Sequence, residues 1–239
     1  MKNLVILLFV LLTASCSTKE PSIKVIHRGD DKKAIIKDSM SILSADLPIH
    51  IDSTAFLIHP IGKLKFYEKT RNYSLKSSFK YENVTNFSIS NYNNYTFTGE
   101  LTNLQFEQIG TNKLVPLTQK NLRITSANFL SDLYKKTGKK LFLYHVIDID
   151  SNNDGKLDYD DIQTMYISKI DGSNFKKLVV DNSEIIDFNI LTTVDRLYFK
   201  SIENTNGNDV FDKDDTIHYQ YINLLDDTLE IVEYYPITN

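Results

Sequence analysis

The sequence predicts an all-β protein, a stack of antiparallel sheets, on three observations. Short runs rich in Ile, Val, Thr, Tyr and Phe follow one another along most of the chain, separated by clusters of Asn, Asp, Gly and Ser. Three stretches repeat one strand, turn, strand pattern. Helical periodicity is nearly absent: only residues 126–136 space their apolar side chains in a helix-like way, with Phe129, Leu130 and Leu133 on one side, and even these read alternatively as a strand pair with a tight connection.

The three hairpins are residues 104–109 with turn 110–112 and return 113–115, residues 166–170 with turn 171–174 and return 175–180, and residues 219–225 with turn 226–228 and return 229–232. Asp171-Gly172 and its relatives at these turns tolerate the positive φ that a tight connection needs. A hairpin recurring every 50 to 60 residues or so is what the sheets of a propeller-like stack produce. Displacing the chain by 54 places supports that reading: Leu143 falls on Leu197, Tyr144 on Tyr198, Asn152 on Asn206, Asp158 on Asp212, Asp160 on Asp214 and Asp161 on Asp215. The repeats are clearest over residues 121–185 and 186–239. About four such units fit the chain, as a small ring, an open stack or a ring completed by association.

The segment Met165-Tyr166-Ile167-Ser168-Lys169-Ile170-Asp171-Gly172-Ser173-Asn174, followed by Leu178, resembles the blade signature of TolB-type, WD40-like propellers. The resemblance is specific over this hairpin and partial over residues 141–235, and it implies a propeller-like domain.

The amino-terminal end has the form of an export signal: Lys2, an apolar run over residues 4–12, then Thr13-Ala14-Ser15 before the only cysteine, Cys16. The run is too short to span a bilayer. Small residues before a lone cysteine resemble the lipobox of bacterial lipoproteins, although Leu12 stands one place earlier than the family prefers and Thr13 occupies its position. That resemblance implies removal of residues 1–15, acylation of Cys16, and a lipid-anchored protein of the outer membrane, facing either the periplasm or the cell surface. Ser17 after the cysteine is similar to the outer-membrane sorting pattern. Residues 16–22 then form a polar tether and residues 23–239 a single β domain. With one cysteine no intramolecular disulfide forms.

A chain with 41% hydrophobic and 24% charged residues belongs to a folded globular class. Its formal charge of -4 becomes -5 once Lys2 leaves with the signal, and no basic patch is present, so nucleic acid is excluded as a partner.

The chemistry concentrates in residues 150–161, Asp150-Ser151-Asn152-Asn153-Asp154-Gly155-Lys156-Leu157-Asp158-Tyr159-Asp160-Asp161, which fits the twelve-residue EF-hand pattern. Calcium takes about six to eight oxygen ligands, so Asp150, Asn152 and Asp154 at alternate positions, the carbonyl of Lys156, Asp158 and the closing Asp161 form the expected ligand set. Gly155 permits the sharp turn and Leu157 anchors the loop inward. Asp161 is shorter than the usual closing Glu and resembles the dockerin-type variants, which implies a weaker site, near dissociation constants of about 10⁻⁴ to 10⁻³ M. The flanks are strand-like, so the loop is expected to join two strands rather than two helices. A degenerate copy, with Asn204, Asn206, Asn208, Asp212 and Asp215 as weaker candidate ligands, keeps Phe211 as its apolar anchor but carries Asp209 where glycine belongs; a metal-free hairpin held by Asn and Gly turns is the favoured reading there.

No catalytic residues are assigned. The five histidines have no metal-binding spacing, and neither a G-x-S-x-G elbow nor a phosphate-binding glycine loop occurs. His145, inside an apolar run, is expected to be a core residue. The segment Asn91-Tyr92-Asn93-Asn94-Tyr95 reads more readily as a polar hairpin turn than as a sugar-contacting loop. The expected function is a non-enzymatic, calcium-binding envelope lipoprotein with a protein or glycan partner. The alternative is a calcium-dependent hydrolase of surface polysaccharide, because two carboxylates distant in sequence need only meet in space.

Overall fold

The structure, a computed structural model, describes Lys24, Ile26 and residues 33–35, 41–65 and 89–237. Cys16, the export signal and the tether lie outside the described residues. The strands are β1 (Ser41–Ala45), β2 (Ile49–His50), β3 (Phe56–Lys65), β4 (Ser90–Asn93), β5 (Thr96–Gln108), β6 (Leu114–Pro116) and β7 (Arg123–Phe129). After helix α1 (Ser131–Thr137) come β8 (Leu141–Ile147), β9 (Thr164–Lys169), β10 (Lys176–Lys177), β11 (Ser183–Leu191), β12 (Arg196–Glu203), β13 (Thr216–Asn223) and β14 (Ile231–Glu233). Strands thus dominate, and the protein is all-β as its composition and turn spacing require.

Among the described residues these strands make two antiparallel sheets and no closed ring. The larger has ten strands in the order β1-β3-β5-β7-β8-β9-β10, with β2 on β3 and both β4 and β6 on β5; the smaller has four, β11-β12-β13-β14. The last two repeats therefore correspond to two successive meanders, β7 to β10 and β11 to β14. Further upstream the strands do not separate into blade-sized sheets. The reason is β5: its 13 residues pair with β3, β4, β6 and β7, which joins everything from β1 onward to the first meander.

All three expected hairpins are present, with Phe106 opposite Val115, Tyr166 opposite Lys177, and Tyr221 opposite Val232. The stretch 126–136, by contrast, is half strand and half helix. Its apolar residues straddle two cores: Phe129 ends β7 inside the first, whereas Leu130 and Leu133 belong to the second, so no single helical face exists.

The two cores lie on opposite faces of β8 and β9. Phe142, Tyr144, Val146 and Tyr166 join an aromatic-rich cluster with Phe97, Phe106 and Phe129 on one face of the large sheet. Leu141, Leu143, Met165 and Ile167 point the other way, against Leu197, Phe199 and Ile222 of the small sheet. Burial on both faces explains why residues 141–147 form an unbroken apolar run instead of the alternating pattern of a half-exposed strand. His145 is half-buried in this setting: its Nδ1 lies 3.0 Å from the Ser126 hydroxyl, its ring packs on Phe188, and burial pushes its pKa down.

The β9–β10 turn is fitted to the first core. Gly172 has φ of 78°, and a Cβ there would come within 2.6 Å of the Phe106 ring. Replacing Gly172 by Ala combines a strained left-handed residue with overpacking, and should cost about 2–4 kcal/mol, read as a lower urea midpoint at unchanged slope.

On the small sheet His218 is clasped between Glu233 (Nδ1 to Oε1, 2.9 Å) and Glu203 (Nε2 to Oε2, 2.8 Å). Partial burial by itself would lower its pKa; the hydrogen bonds and charges of the two glutamates outweigh that, and the net shift is upward. A folded-state pKa above the unfolded value means the clasp is fully stabilising below about pH 6.5 and fades as pH rises through the folded pKa. Chemical denaturation across this range should show wild type losing that stability on the alkaline side, while His218→Gln shows no such step.

Candidate metal centre

The loop of residues 150–161 leaves the end of β8 and returns to β9, the two strands buried on both faces. It joins strands, as its flanks indicate. Asp148 fastens its base: Oδ2 accepts from the Tyr166 hydroxyl at 2.8 Å and lies 3.0 Å from Lys177 Nζ. Arg123 at the start of β7 holds its far side, donating from Nη1 to the Leu157 carbonyl at 3.3 Å and lying 4.3 Å from the centre of the Tyr159 ring.

Within the loop Asp161 has no exposed surface. Its Oδ1 accepts from the Ser151 N–H at 2.7 Å and its Oδ2 from the Asp158 N–H at 2.9 Å, so one carboxylate closes both ends of the turn. Burial pushes this carboxyl above the usual range; the N–H bonds from Asp158, Ser151 and Asn152 oppose that, and the charge of Asp150 adds to the rise. The remaining carboxylates are turned onto main-chain donors as well. Asp150 accepts from Asp154 N–H (3.0 Å) and Gly155 N–H (2.8 Å), Asp154 from Lys156 N–H (2.8 Å), and Asp158 from Asp160 N–H (3.0 Å). Among the described residues no three His, Cys, Asp or Glu side chains are gathered in a ligating group.

The second loop, residues 204–215, repeats this construction almost bond for bond. Asp215 accepts from Thr205 N–H at 3.0 Å and from Asp212 N–H at 2.9 Å, as Asp161 does from Ser151 and Asp158. Both loops turn left-handed at their fourth and sixth positions: Asn153 (φ 56°) and Gly155 (φ 86°) in the first, Gly207 (φ 73°) and Asp209 (φ 64°) in the second. The glycine has moved from the sixth position to the fourth, and Asp209 takes the left-handed conformation that Gly155 adopts more cheaply.

The loops differ in what crosses their centres. In the second, Asn204 Nδ2 donates to the Val210 carbonyl at 3.2 Å, Asn208 Nδ2 to Asp212 Oδ2 at 2.7 Å, and Asn206 Nδ2 to Asp212 Oδ1 at 3.4 Å. Amide protons thus tie the carbonyl of position 7 and the carboxylate of position 9 to positions 1, 3 and 5. The first loop has Asp150 and Asp154 at positions 1 and 5, and carboxylates have no proton to offer. Its one side-chain cation is the exposed Lys156, 3.2 Å from Asp154. Four carboxylates, the Asn152 oxygen and the Lys156 carbonyl make an all-oxygen donor set on a tight turn, which suits a hard divalent cation of calcium's size. By donor chemistry Asp150, Asn152, Asp154, the Lys156 carbonyl, Asp158 and Asp161 are the residues that would hold such an ion, but their carboxylates are turned onto main-chain N–H groups and are not gathered around one point.

The segment that precedes the strands touches both loops: Lys33 N–H donates to Asn153 Oδ1 at 2.8 Å, and Ile26 N–H to the Asp209 carbonyl at 3.0 Å. Sequence reasoning offered no sign of these contacts, because neither Ile26 nor Lys33 belongs to a motif. Elsewhere, Asn91-Tyr92-Asn93-Asn94-Tyr95 is a hairpin turn in which Asn94 and Tyr95 take positive φ, the Tyr92 ring packs on Phe97 and that of Tyr95 on Phe129. His50 and His59 are bonded to Thr54 and Glu107 respectively, far from either loop in the chain.

Comparison of the chain with models of known protein families, with curated proteins and with solved structures found no match.

Replacing Asp161 by Asn would set an amide NH₂ against one of the N–H donors it now satisfies. In the presence of chelator this should destabilise the fold by about 2–4 kcal/mol, measured by urea denaturation.

Proposed function

We propose that this chain is a calcium-binding lipoprotein of the bacterial outer membrane, non-enzymatic, held by acyl chains on Cys16, and presenting its propeller-like sheets to a protein or glycan partner. The observation that carries the calcium reading is the contrast between the two loops. One architecture is built twice, and where the second closes itself with asparagine amide protons, the first places carboxylates that repel one another. A divalent cation supplies the missing positive charge, relieving the repulsion and the burial of Asp161 together. The second loop, completed by its own amides, is read as metal-independent.

The propeller-like reading rests on the two consecutive four-stranded meanders and on the hairpin at Asp171-Gly172-Ser173-Asn174. Calcium acts in it as a stiffener. The first loop joins the strands shared by both cores, so a cation bound there stabilises the element on which both depend.

The hydrolase reading draws support from one cavity that Glu100 and Asp158 both line. Against it stands the ion pair between Glu100 and Arg123 at 3.2 Å, which already engages that carboxylate. Release of reducing ends from surface polysaccharide, lost in Glu100→Gln, would decide for it.

For the calcium reading the measurement is thermal unfolding of the full mature chain in detergent, with calcium or chelator. Saturation at a hundred times the dissociation constant adds about 2.7 kcal/mol, and Tm should rise accordingly. Asp150→Ala with Asp154→Ala should abolish the rise, whereas Asn204→Ala with Asn208→Ala should leave it intact. An unchanged Tm in the wild type at about 0.1 M calcium, a hundred times the weaker dissociation constant expected for the loop, would refute the assignment.

A further inference from the structure

The small sheet is aromatic and apolar on both faces. Its inner positions, Leu197, Phe199 and Ile222, belong to the second core and are covered by the large sheet. The positions that alternate with them place Tyr198 on β12, Ile217, Tyr219 and Tyr221 on β13, and Val232 with the following Tyr234 at β14 on the outer face. The four tyrosines form one cluster: ring centres are 5.4 Å apart for Tyr198 and Tyr221, 5.5 Å for Tyr198 and Tyr234, and 6.1 Å from Tyr234 to each of Tyr219 and Tyr221. Arg196 lies 4.3 Å from the centre of the Tyr221 ring and donates to the Tyr198 hydroxyl at 3.1 Å. An antiparallel sheet with one solvated face ordinarily turns polar residues to the solvent. Here Ile217 is 46% and Val232 38% exposed, against 0% for Leu197 and Ile222 behind them.

We propose that this outer face is a self-association surface, on which the same face of a second copy packs sheet to sheet about a two-fold axis. Its charges fit a copy of itself. The face carries Arg196 and Lys200, with Asp187 at its margin 3.9 Å from Lys200. A two-fold axis parallel to the strands, midway between β12 and β13, sets each residue against the partner's version of its own cross-strand neighbour. The register then puts Tyr198 on the partner's Tyr221, Ile202 on the partner's Ile217, Lys200 on the partner's Tyr219 and Arg196 on the partner's Asn223. No like charges meet, apolar meets apolar, and Lys200 faces an aromatic ring that attracts a cation.

Continuity points the same way. The small sheet already packs its inner face on another sheet, and the second of the two meanders ends here, so a second copy extends a sheet-on-sheet arrangement that the chain has begun. Size sets the strength. β12 and β13 have 8 residues each, and at a rise of about 3.4 Å per residue and a strand spacing of about 4.8 Å the four strands present a plane of roughly 500 Å². Specific interfaces begin near about 600 Å² per partner, so the dimer is weak and reversible rather than permanent. It forms with or without calcium in the first loop, which the outer face does not include.

The test is sedimentation equilibrium of the full mature chain in density-matched detergent, from about 5 to 500 μM, with amine-reactive cross-linking of the same samples. The wild type should show a concentration-dependent equilibrium of monomer and dimer. Cross-linking should join Lys200 to Lys200, a link that only two copies can make. Ile217→Glu with Val232→Glu, at exposed positions and checked for unchanged circular dichroism, should raise the dissociation constant roughly tenfold or more. Leu43→Glu, on the 68% exposed Leu43 of β1, should leave association unchanged. A wild type that stays monomeric throughout, absence of the Lys200 to Lys200 link, or dimers lost with Leu43→Glu would each overturn the proposal. So would dimers that survive Ile217→Glu with Val232→Glu, the behaviour of two chains that merely share a micelle.

Discussion

Asp161 stands where the first acidic loop re-enters the sheet, wholly buried, with its two oxygens bonded to main-chain N–H groups at opposite ends of the turn. A strand that leaves the interior and returns twelve residues later must satisfy the donors exposed by its turn, and no regular ladder reaches them there. One carboxylate does this with two acceptor atoms. Asp215 repeats the arrangement in the second loop, so the position that closes the pattern is a structural necessity before any ligand is considered. The same placement sets the electrostatic problem: a carboxylate held in the interior beside Asp150, bonded by main-chain N–H groups and the Ser151 hydroxyl.

That clamp matters beyond the loop because of what it joins. β8 and β9 carry the first core on one face and the second on the other, so their separation and register affect both sheets. Asp148 and Arg123 add fastenings on either side of the loop, one to β9 and β10, the other to β5 and β7. A cation bound there would stiffen the region where the two cores meet. The amino-terminal segment crosses the same ground, bonding to Asn153 in one loop and to Asp209 in the other.

The two loops act as an internal control on each other. They share backbone conformation, closing carboxylate and most main-chain bonds, and they differ at positions 1 and 5, where Asp stands in one and Asn in the other. An asparagine amide both accepts and donates, so the second loop can complete its centre from within. A carboxylate only accepts. Duplication with Asn in place of Asp at positions 1 and 5, and with the glycine moved from position 6 to position 4, sets what the turn needs mechanically beside what a ligand would be needed to supply.

From sequence alone the all-β class, the three hairpins, the buried strand 141–147 and the duplicated acidic loop could be read, because each depends on residues close together in the chain: turn chemistry, local alternation and the spacing of oxygen donors. His145, expected in the core from its apolar neighbours, is half-buried. The division of residues 126–136 between strand and helix did not, since Phe129 and Leu130 are sorted by cores that lie on opposite sides of them. The merging of the upstream strands into one ten-stranded sheet was equally hidden. It depends on which partners a 13-residue strand finds far away in sequence, and periodicity carries no record of that. Nor could the cavity beside the loop be foreseen: Lys63, Thr102, Arg123 and Lys156 are scattered through the chain, and the pairing of β3 with β5, β5 with β7 and β7 with β8 brings them around one space.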